Sequence, residues 1–240
     1  MVDRLWQNGD TTHVGTDGQE LEGDAPLVAV GRRPTLDDLE LDKSGMVYSH
    51  SGIQVSSRMR TNRRHIYAAG DCAGGYQFTH YAAWQGFMAV RNAYVPLNDE
   101  GVLDLVPWST FTDPEVAHTG LTEAQPRSKF GQGVLVCNWP LEKADRTLTD
   151  GDATGFVKLI HKANGTILGV TMAASRTGEM IQEWSLAIDQ GLKIGALANS
   201  IHVYPTYATA SMQVAADIRV EQILSGMMGR VMRGMARLAR

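Results

Sequence analysis

His65-Ile66-Tyr67-Ala68-Ala69-Gly70-Asp71 is a short apolar run that stops abruptly at Gly-Asp. Such a run fits a buried strand. A glycine at its end lets other groups approach the backbone closely. The carboxylate of Asp71 can accept hydrogen bonds from the hydroxyls of a ligand. A Gly-containing turn, Cys72-Ala73-Gly74-Gly75, follows. A helical stretch then runs from about Thr79 to Tyr94, with Tyr81, Ala82, Trp84, Met88 and Val90 roughly helically spaced. The start of that helix offers free N–H groups and the positive end of its dipole. By itself, Gly-Asp after a strand is a common turn, so its surroundings decide the reading.

Upstream, residues 11–30 read as hairpin-like β structure with a turn at Gly15-Thr16-Asp17-Gly18. Leu27-Val28-Ala29-Val30 has the continuous apolar character of a buried parallel strand. It ends at Gly31-Arg32-Arg33-Pro34, where proline stops regular structure. Residues 35–65 are polar and turn-rich. Downstream, Val95-Pro96-Leu97-Asn98-Asp99-Glu100-Gly101 reads as a linker, and the pattern changes after it. Short strands are predicted at Pro107–Phe111, Gly133–Asn138, Phe156–His161 and Ile167–Ala174, the last two joined by the hairpin signal Asn164-Gly165. Helices follow over Thr177–Gln190, stopped by Gly191, and from Thr206 to the C-terminus. Strands followed by helices predict an α+β unit after an α/β one.

Composition narrows the function classes. The 240 residues are 43% hydrophobic, enough for a real core, and the net charge of −4 argues against a nucleic-acid protein. The polar N-terminus lacks a signal-peptide core, and no run is long enough to span a membrane. Two isolated thiols, Cys72 and Cys137, fit a reducing cytoplasm and are expected to be packed, not paired. His118 and His161 are not spaced with other ligating residues, so no metal site is predicted.

Thr61…Ile66-Tyr67-Ala68-Ala69-Gly70-Asp71 resembles the second FAD motif of the pyridine nucleotide-disulfide oxidoreductases, the family of mercuric reductases and dihydrolipoamide dehydrogenases. Val28-Ala29-Val30-Gly31-Arg32-Arg33-Pro34 is similar to the exit of that family's NAD(P)-binding domain. Gln77-Phe78-Thr79-His80 resembles its flavin-contacting stretch. Phe111-Thr112-Asp113-Pro114-Glu115-Val116-Ala117…Gly120-Leu121-Thr122-Glu123 resembles the opening of its dimerisation domain, as do Asp145-Arg146, Gly155-Phe156-Val157-Lys158 and Ile167-Leu168-Gly169.

The resemblance implies a partial Rossmann-like α/β segment followed by an α+β dimerisation domain. Residues 1–34 would be the end of an NAD(P)-binding domain, 35–104 the end of an FAD-binding domain, and 105–240 the dimerisation domain with a C-terminal amphipathic helix. It implies FAD and NAD(P)H as cofactors and a homodimer through residues 105–240. Asp71 would hold the ribityl chain of FAD, with Gly70 giving it access. Gln77, Phe78, Thr79 and His80 would line the isoalloxazine, and Gly31 would lie near the nicotinamide cofactor. The parent activity would move electrons from NAD(P)H through FAD to a disulfide or a thiolate-bound metal.

The family's N-terminal Gly-rich FAD fingerprint and Cys-x4-Cys pair do not occur in these residues. The expectation is therefore a C-terminal portion with both cofactor sites incomplete, inactive alone and binding FAD weakly or not at all. Its N-terminal half would then be a partner. The alternative is a non-catalytic dimerisation or partner-binding module.

The family's His-Pro-Thr-x-x-Glu motif is matched by Tyr204-Pro205-Thr206-Tyr207-Ala208-Thr209, with Tyr204 in the histidine position and His202 two residues earlier. Tyr204 and His202 are the candidate catalytic residues. A phenol with a reference pKa of about 10 is poorly matched to proton shuttling near neutrality. Hydrogen-bond donation, a place beside a soft metal, and interface packing all remain open for Tyr204. Asp145-Arg146 fits an ion pair or a solvated turn. From Ile218 onward, Arg219, Arg230, Arg233, Arg237 and Arg240 alternate with Leu224, Met227, Met228, Val231, Met232, Met235 and Leu238, a basic amphipathic helix. It suits packing on a partner subunit, or contact with an anionic membrane surface.

Overall fold

The computed structural model describes residues 2–95, 100–103, 105–125, 128, 133–226, 229, 231 and 235. The chain forms two compact units, Met1–Asp99 and Glu100–Arg240.

In the first unit β1 (Val2–Asn8), β2 (Thr11–Thr16) and β3 (Gln19–Gly23) form an antiparallel meander. Asp17 and Gly18, both at positive φ, make the β2–β3 turn that the Asp-Gly pair predicts. A short helix α1 (Leu41–Ser44) and the ribbon β4 (Tyr48–Ser49) and β5 (Gly52–Ile53) follow. Leu41, Ile53 and Ala68 form this unit's small core, under partly buried Leu36, Met46 and Val55. The unit ends in α2 (Thr79–Tyr94), over the range expected from the sequence.

Two expected strands differ. Leu27-Val28-Ala29-Val30 forms no strand, and Leu27, Val28 and Val30 are exposed. A doubly buried parallel strand needs parallel neighbours for its ladder, and every strand pairing among the described residues is antiparallel. His65 lies in a turn, and Ile66–Ala69 joins no ladder, carrying one isolated bridge, Arg60 to Tyr67.

The second unit is a five-stranded antiparallel sheet in the order β6 (Trp108–Thr110), β7 (Glu115–Gly120), β10 (Ile167–Ala174), β9 (Phe156–Lys162), β8 (Val134–Pro140). The hairpin β9–β10 closes at Asn164-Gly165, with Gly165 at φ 83°. Helix α3 (Asp145–Thr149) precedes β9; α4 (Thr177–Asp189), α5 (Ile194–Ala198) and α6 (Thr209–Ser225) follow the sheet. Helix α4 stops where predicted. Gly191 takes φ 62°, its N–H donates to Ile188 O, and the Leu192 N–H donates to Ala187 O.

Val157 and Leu159 of β9 and Val170 and Met172 of β10 point to the helices, as alternate strand positions must. There they meet Met180, Ile181 and Trp184 of α4, Ile194 of α5 and Val214 of α6. The other face carries a small cluster of Val134, Ile160 and Leu168. Several buried polar groups are paired across elements. Trp184 Nε1 donates to Ser211 Oγ at 2.9 Å, and Trp139 Nε1 to Asp217 Oδ2 at 2.9 Å. His118 Nε2 donates to Gly120 O, leaving Nδ1 to accept from Thr171 Oγ1. Burial holds the His118 pKa below its ordinary value.

The Val95–Gly101 linker lies largely outside the described residues, as does most of the basic amphipathic helix beyond Ser225. Among the described residues, no helix is long and apolar enough to cross a membrane.

Two outcomes follow from this packing. Trp184→Ala loses a fully buried ring and leaves Ser211 unpaired, and is expected to cost about 3–5 kcal/mol in urea unfolding. His118 is neutral when folded and binds a proton more readily when unfolded. Its contribution is fully present above its unfolded pKa of about 6.5 and is lost as pH falls through the lower folded value. Stability should therefore drop from pH 7 to pH 5, with a shallower slope in His118→Gln.

Candidate functional site

Gly70 sits where extended backbone turns into a single 3-10 turn, Gly70–Ala73. Its φ is 76°, and a Cβ there would lie 2.8 Å from the Cβ of Ala82 on α2. Only glycine lets the turn and the helix meet this closely. The buried Gly70 N–H donates to Gln85 Oε1 at 2.8 Å, so α2 holds the turn through a polar side chain on its buried face. Thr61 ties the preceding segment, its hydroxyl bonding Arg63 O and Ile66 O at 3.1 Å each.

These ties place Asp71 at the start of the turn with its side chain exposed. Among the described residues, its carboxylate has no hydrogen-bond or ion-pair partner. The Asp71 carbonyl closes the turn by accepting from Gly74 N–H at 3.0 Å.

Gln77-Phe78-Thr79-His80 lie at the beginning of α2, which Phe78 enters in extended conformation without a side-chain cap. Phe78 stacks between Tyr76, at 6.0 Å, and His80, at 5.3 Å. The structure thus joins an unpartnered carboxylate, a flat aromatic ladder and an uncapped helix start on one short stretch. The Gln77 carbonyl accepts from Arg32 Nη1 at 3.3 Å, which attaches the Gly31-Arg32-Arg33 segment to this region. Gly31 itself, at φ 127°, has open space around it.

A second group of polar residues lies in the second unit. His202 Nε2 meets Glu183 Oε2 of α4 at 2.8 Å, and Nδ1 meets Ser200 O at 3.2 Å. The other Glu183 oxygen is buried without a partner among the described residues. Tyr204 is exposed, and its hydroxyl donates to Asp145 Oδ2 at 2.8 Å. That bond, and the negative charge of Asp145, raise the Tyr204 pKa above its ordinary value. Arg146 forms an ion pair with Asp150 at 2.8 Å, while the Asp145 carboxylate accepts from Tyr204. Tyr207 is buried, bonds Asp152 Oδ2 at 3.4 Å, and carries Arg176 over its ring at 5.4 Å.

Sequence reasoning located Asp71, Tyr204 and His202 but not their supports, Gln85, Asp145 and Glu183. Gln85 had a local signal, since it shares a face with Tyr81 and Met88, a polar residue inside an apolar stripe. The other two lie 59 and 19 residues from their partners, beyond any local pattern.

A family model described as Pyridine nucleotide-disulphide oxidoreductase matches residues 1–86. Another, described as Pyridine nucleotide-disulphide oxidoreductase, dimerisation domain, matches residues 106–215. The chain is 36% identical over 212 residues to a mercuric reductase of Bacillus cereus, covering 86% of this chain and 33% of the relative. It is 36% identical over 212 residues to a dihydrolipoyl dehydrogenase of Thermus scotoductus, covering 87% and 45%. Among solved structures it is similar to the HOCl-induced flavoprotein disulfide reductase RclA from Escherichia coli, with TM-score 0.82, 25% identity, and coverage of 90% of this chain and 50% of that one. It is also similar to LpdA from Mycobacterium tuberculosis, with TM-score 0.83, 26% identity, and coverage of 90% and 48%. The chain thus spans between a third and a half of the length of these proteins.

Gly70→Ala forces a side chain into the left-handed region and against Ala82. It is expected to destabilise the first unit by about 2–3 kcal/mol, measured by hydrogen exchange of the α2 amides.

Proposed function

As the chain belongs to the pyridine nucleotide-disulphide oxidoreductase family, we propose that it supplies the ribityl-holding edge of an FAD site and the dimer-forming half of an NAD(P)H-dependent flavoprotein. The parent activity carries electrons from NAD(P)H through FAD to a disulfide or a thiolate-bound metal. One observation carries the flavin reading: Asp71 presents an exposed carboxylate, without a partner among the described residues, in the turn Gly70–Ala73 that precedes the uncapped start of α2 at Thr79. The donor chemistry fits. A carboxylate accepts from sugar-alcohol hydroxyls, and the N–H groups of a helix start favour the negative charge of a reduced flavin. When bound, FAD supplies the two-electron relay between nicotinamide and acceptor. Gly70 lets the turn close on α2 and so sets the position of Asp71, and residues 77–80 flank the flavin ring. Gly31, in open space on a segment attached through Arg32, faces the nicotinamide side.

In the second unit Tyr204 stands in the position of the family's proton-transfer histidine. Its raised pKa keeps the phenol protonated at neutral pH, so it acts as a hydrogen-bond donor. The His202–Glu183 pair is the imidazole backed by a carboxylate at this end of the unit, the arrangement suited to orienting a proton-transfer group. Homodimerisation through residues 105–240 is supported by the dimerisation-domain match and by the exposed apolar side chains of Phe111, Ile201 and Val203. A disulfide or a thiolate-bound metal as electron acceptor, and a cytoplasmic location for the two unpaired thiols, belong to the same reading.

The test is an FAD titration of the purified chain, followed by flavin fluorescence. Hydrogen bonds to a charged carboxylate contribute about 1.5–3 kcal/mol. Asp71→Ala should therefore weaken binding by roughly 10- to 100-fold. Saturable binding of equal affinity by the two proteins would remove Asp71 from the site.

A further inference from the structure

On the exposed face of the β1–β3 meander, three potential ligand atoms converge. They are His13 Nδ1, a Glu20 carboxylate oxygen and a Glu22 carboxylate oxygen, all within 4.8 Å of one another. We propose that His13, Glu20 and Glu22 form a divalent transition-metal site of the zinc class, separate from the flavin and dimer regions.

Strand register builds the cluster. His13 on β2 lies directly opposite Glu22 on β3, and Glu20 is the next residue along the same face of β3. The residue opposite Glu20 is Gly15, which has no side chain and leaves Glu20 free to lean towards His13. The imidazole is held in place from the other side. Trp6, paired with His13 on β1, stacks on it with ring centroids 5.2 Å apart and an interplanar angle of 8°. Arg4 lies over the same tryptophan, its guanidinium 3.8 Å from the ring centroid. This cation is engaged with the indole, and no ion pair joins it to either glutamate among the described residues.

His13 Nδ1 is 2.8 Å from Glu20 Oε1 and 3.6 Å from Glu22 Oε1. One N–H can serve only one of these carboxylates, and the second negative charge is left without a counter-charge. Ligands about 2.0–2.2 Å from a tetrahedral zinc ion lie about 3.3–3.6 Å apart. The His13–Glu22 separation already meets that spacing, and the exposed Glu20 side chain has only to move outward by roughly half an ångström. Imidazole nitrogen with two carboxylates is a donor set for zinc-like ions, with water in the remaining position. On binding, Nδ1 gives its lone pair to the ion, and the proton it shared with Glu20 moves to Nε2. The sequence predicts no metal site because these residues lie seven and nine positions apart, a spacing that means nothing until the β2–β3 register is known.

Isothermal titration of zinc chloride into the untagged chain tests the site, with tryptophan fluorescence as a second readout. The expected result is one zinc ion per chain, with affinity falling tenfold or more in His13→Gln and in the double variant Glu20→Gln/Glu22→Gln. The fluorescence response should come from Trp6, which stacks on His13, and be lost in Trp6→Phe. The double variant changes only exposed side chains, so it remains informative should His13→Gln fail to fold, with far-UV circular dichroism as the check. Undiminished zinc affinity in the double variant would overturn the proposal. So would the absence of binding by the wild-type chain up to about 1 mM zinc.

Discussion

The first unit depends on one buried hydrogen bond, from the Gly70 N–H to Gln85 Oε1. A backbone N–H in a turn buried under a helix must find an acceptor or cost about 1–3 kcal/mol. The helix supplies that acceptor from its own buried face. The bond also fixes the distance between the turn and α2, which only a glycine tolerates because Ala82 occupies the place of any Cβ. Position, conformation and residue type are therefore one constraint. Asp71 follows from it, because the residue after a pinned glycine has little freedom in where it points its carboxylate.

The second unit solves a different problem. Its sheet is antiparallel throughout and is covered on one face by helices, so its ladder is complete within one stretch of chain. The apolar run Leu27–Val30 lacks this advantage. Its composition suits a strand buried on both faces, yet composition cannot supply the neighbouring strands. Continuous apolar sequence thus specifies an environment, and the strand forms only where that environment is also present.

This contrast explains how much was legible in the sequence. The β9–β10 hairpin, α2 and the end of α4 were readable because each rests on local chemistry: Asn164-Gly165, helical spacing, and Gly191 at positive φ. The strands β1 and β7 were not predicted. Each owes its stability mainly to cross-strand partners, as in the stacking of Trp6 on His13, and register carries no signal within a single strand. The candidate site divides in the same way. The family motif marks Asp71 and residues 77–80, whereas Asp145 and Glu183 are ordinary acids until folding brings Tyr204 and His202 to them.

That placement limits the chemistry available beside the dimerisation half. Tyr204 has its proton held by Asp145, and a phenol whose pKa is raised gives up that proton only in alkaline solution. Each His202 ring nitrogen already faces an oxygen, Ser200 O on one side and Glu183 on the other. What this corner still offers outward is the exposed Tyr204 hydroxyl oxygen as an acceptor, because its one proton already lies on Asp145. Tyrosine in the motif position of the family's histidine therefore sets there a group that neither takes up nor releases a proton near neutrality, because its hydroxyl is bonded to a carboxylate that raises its pKa.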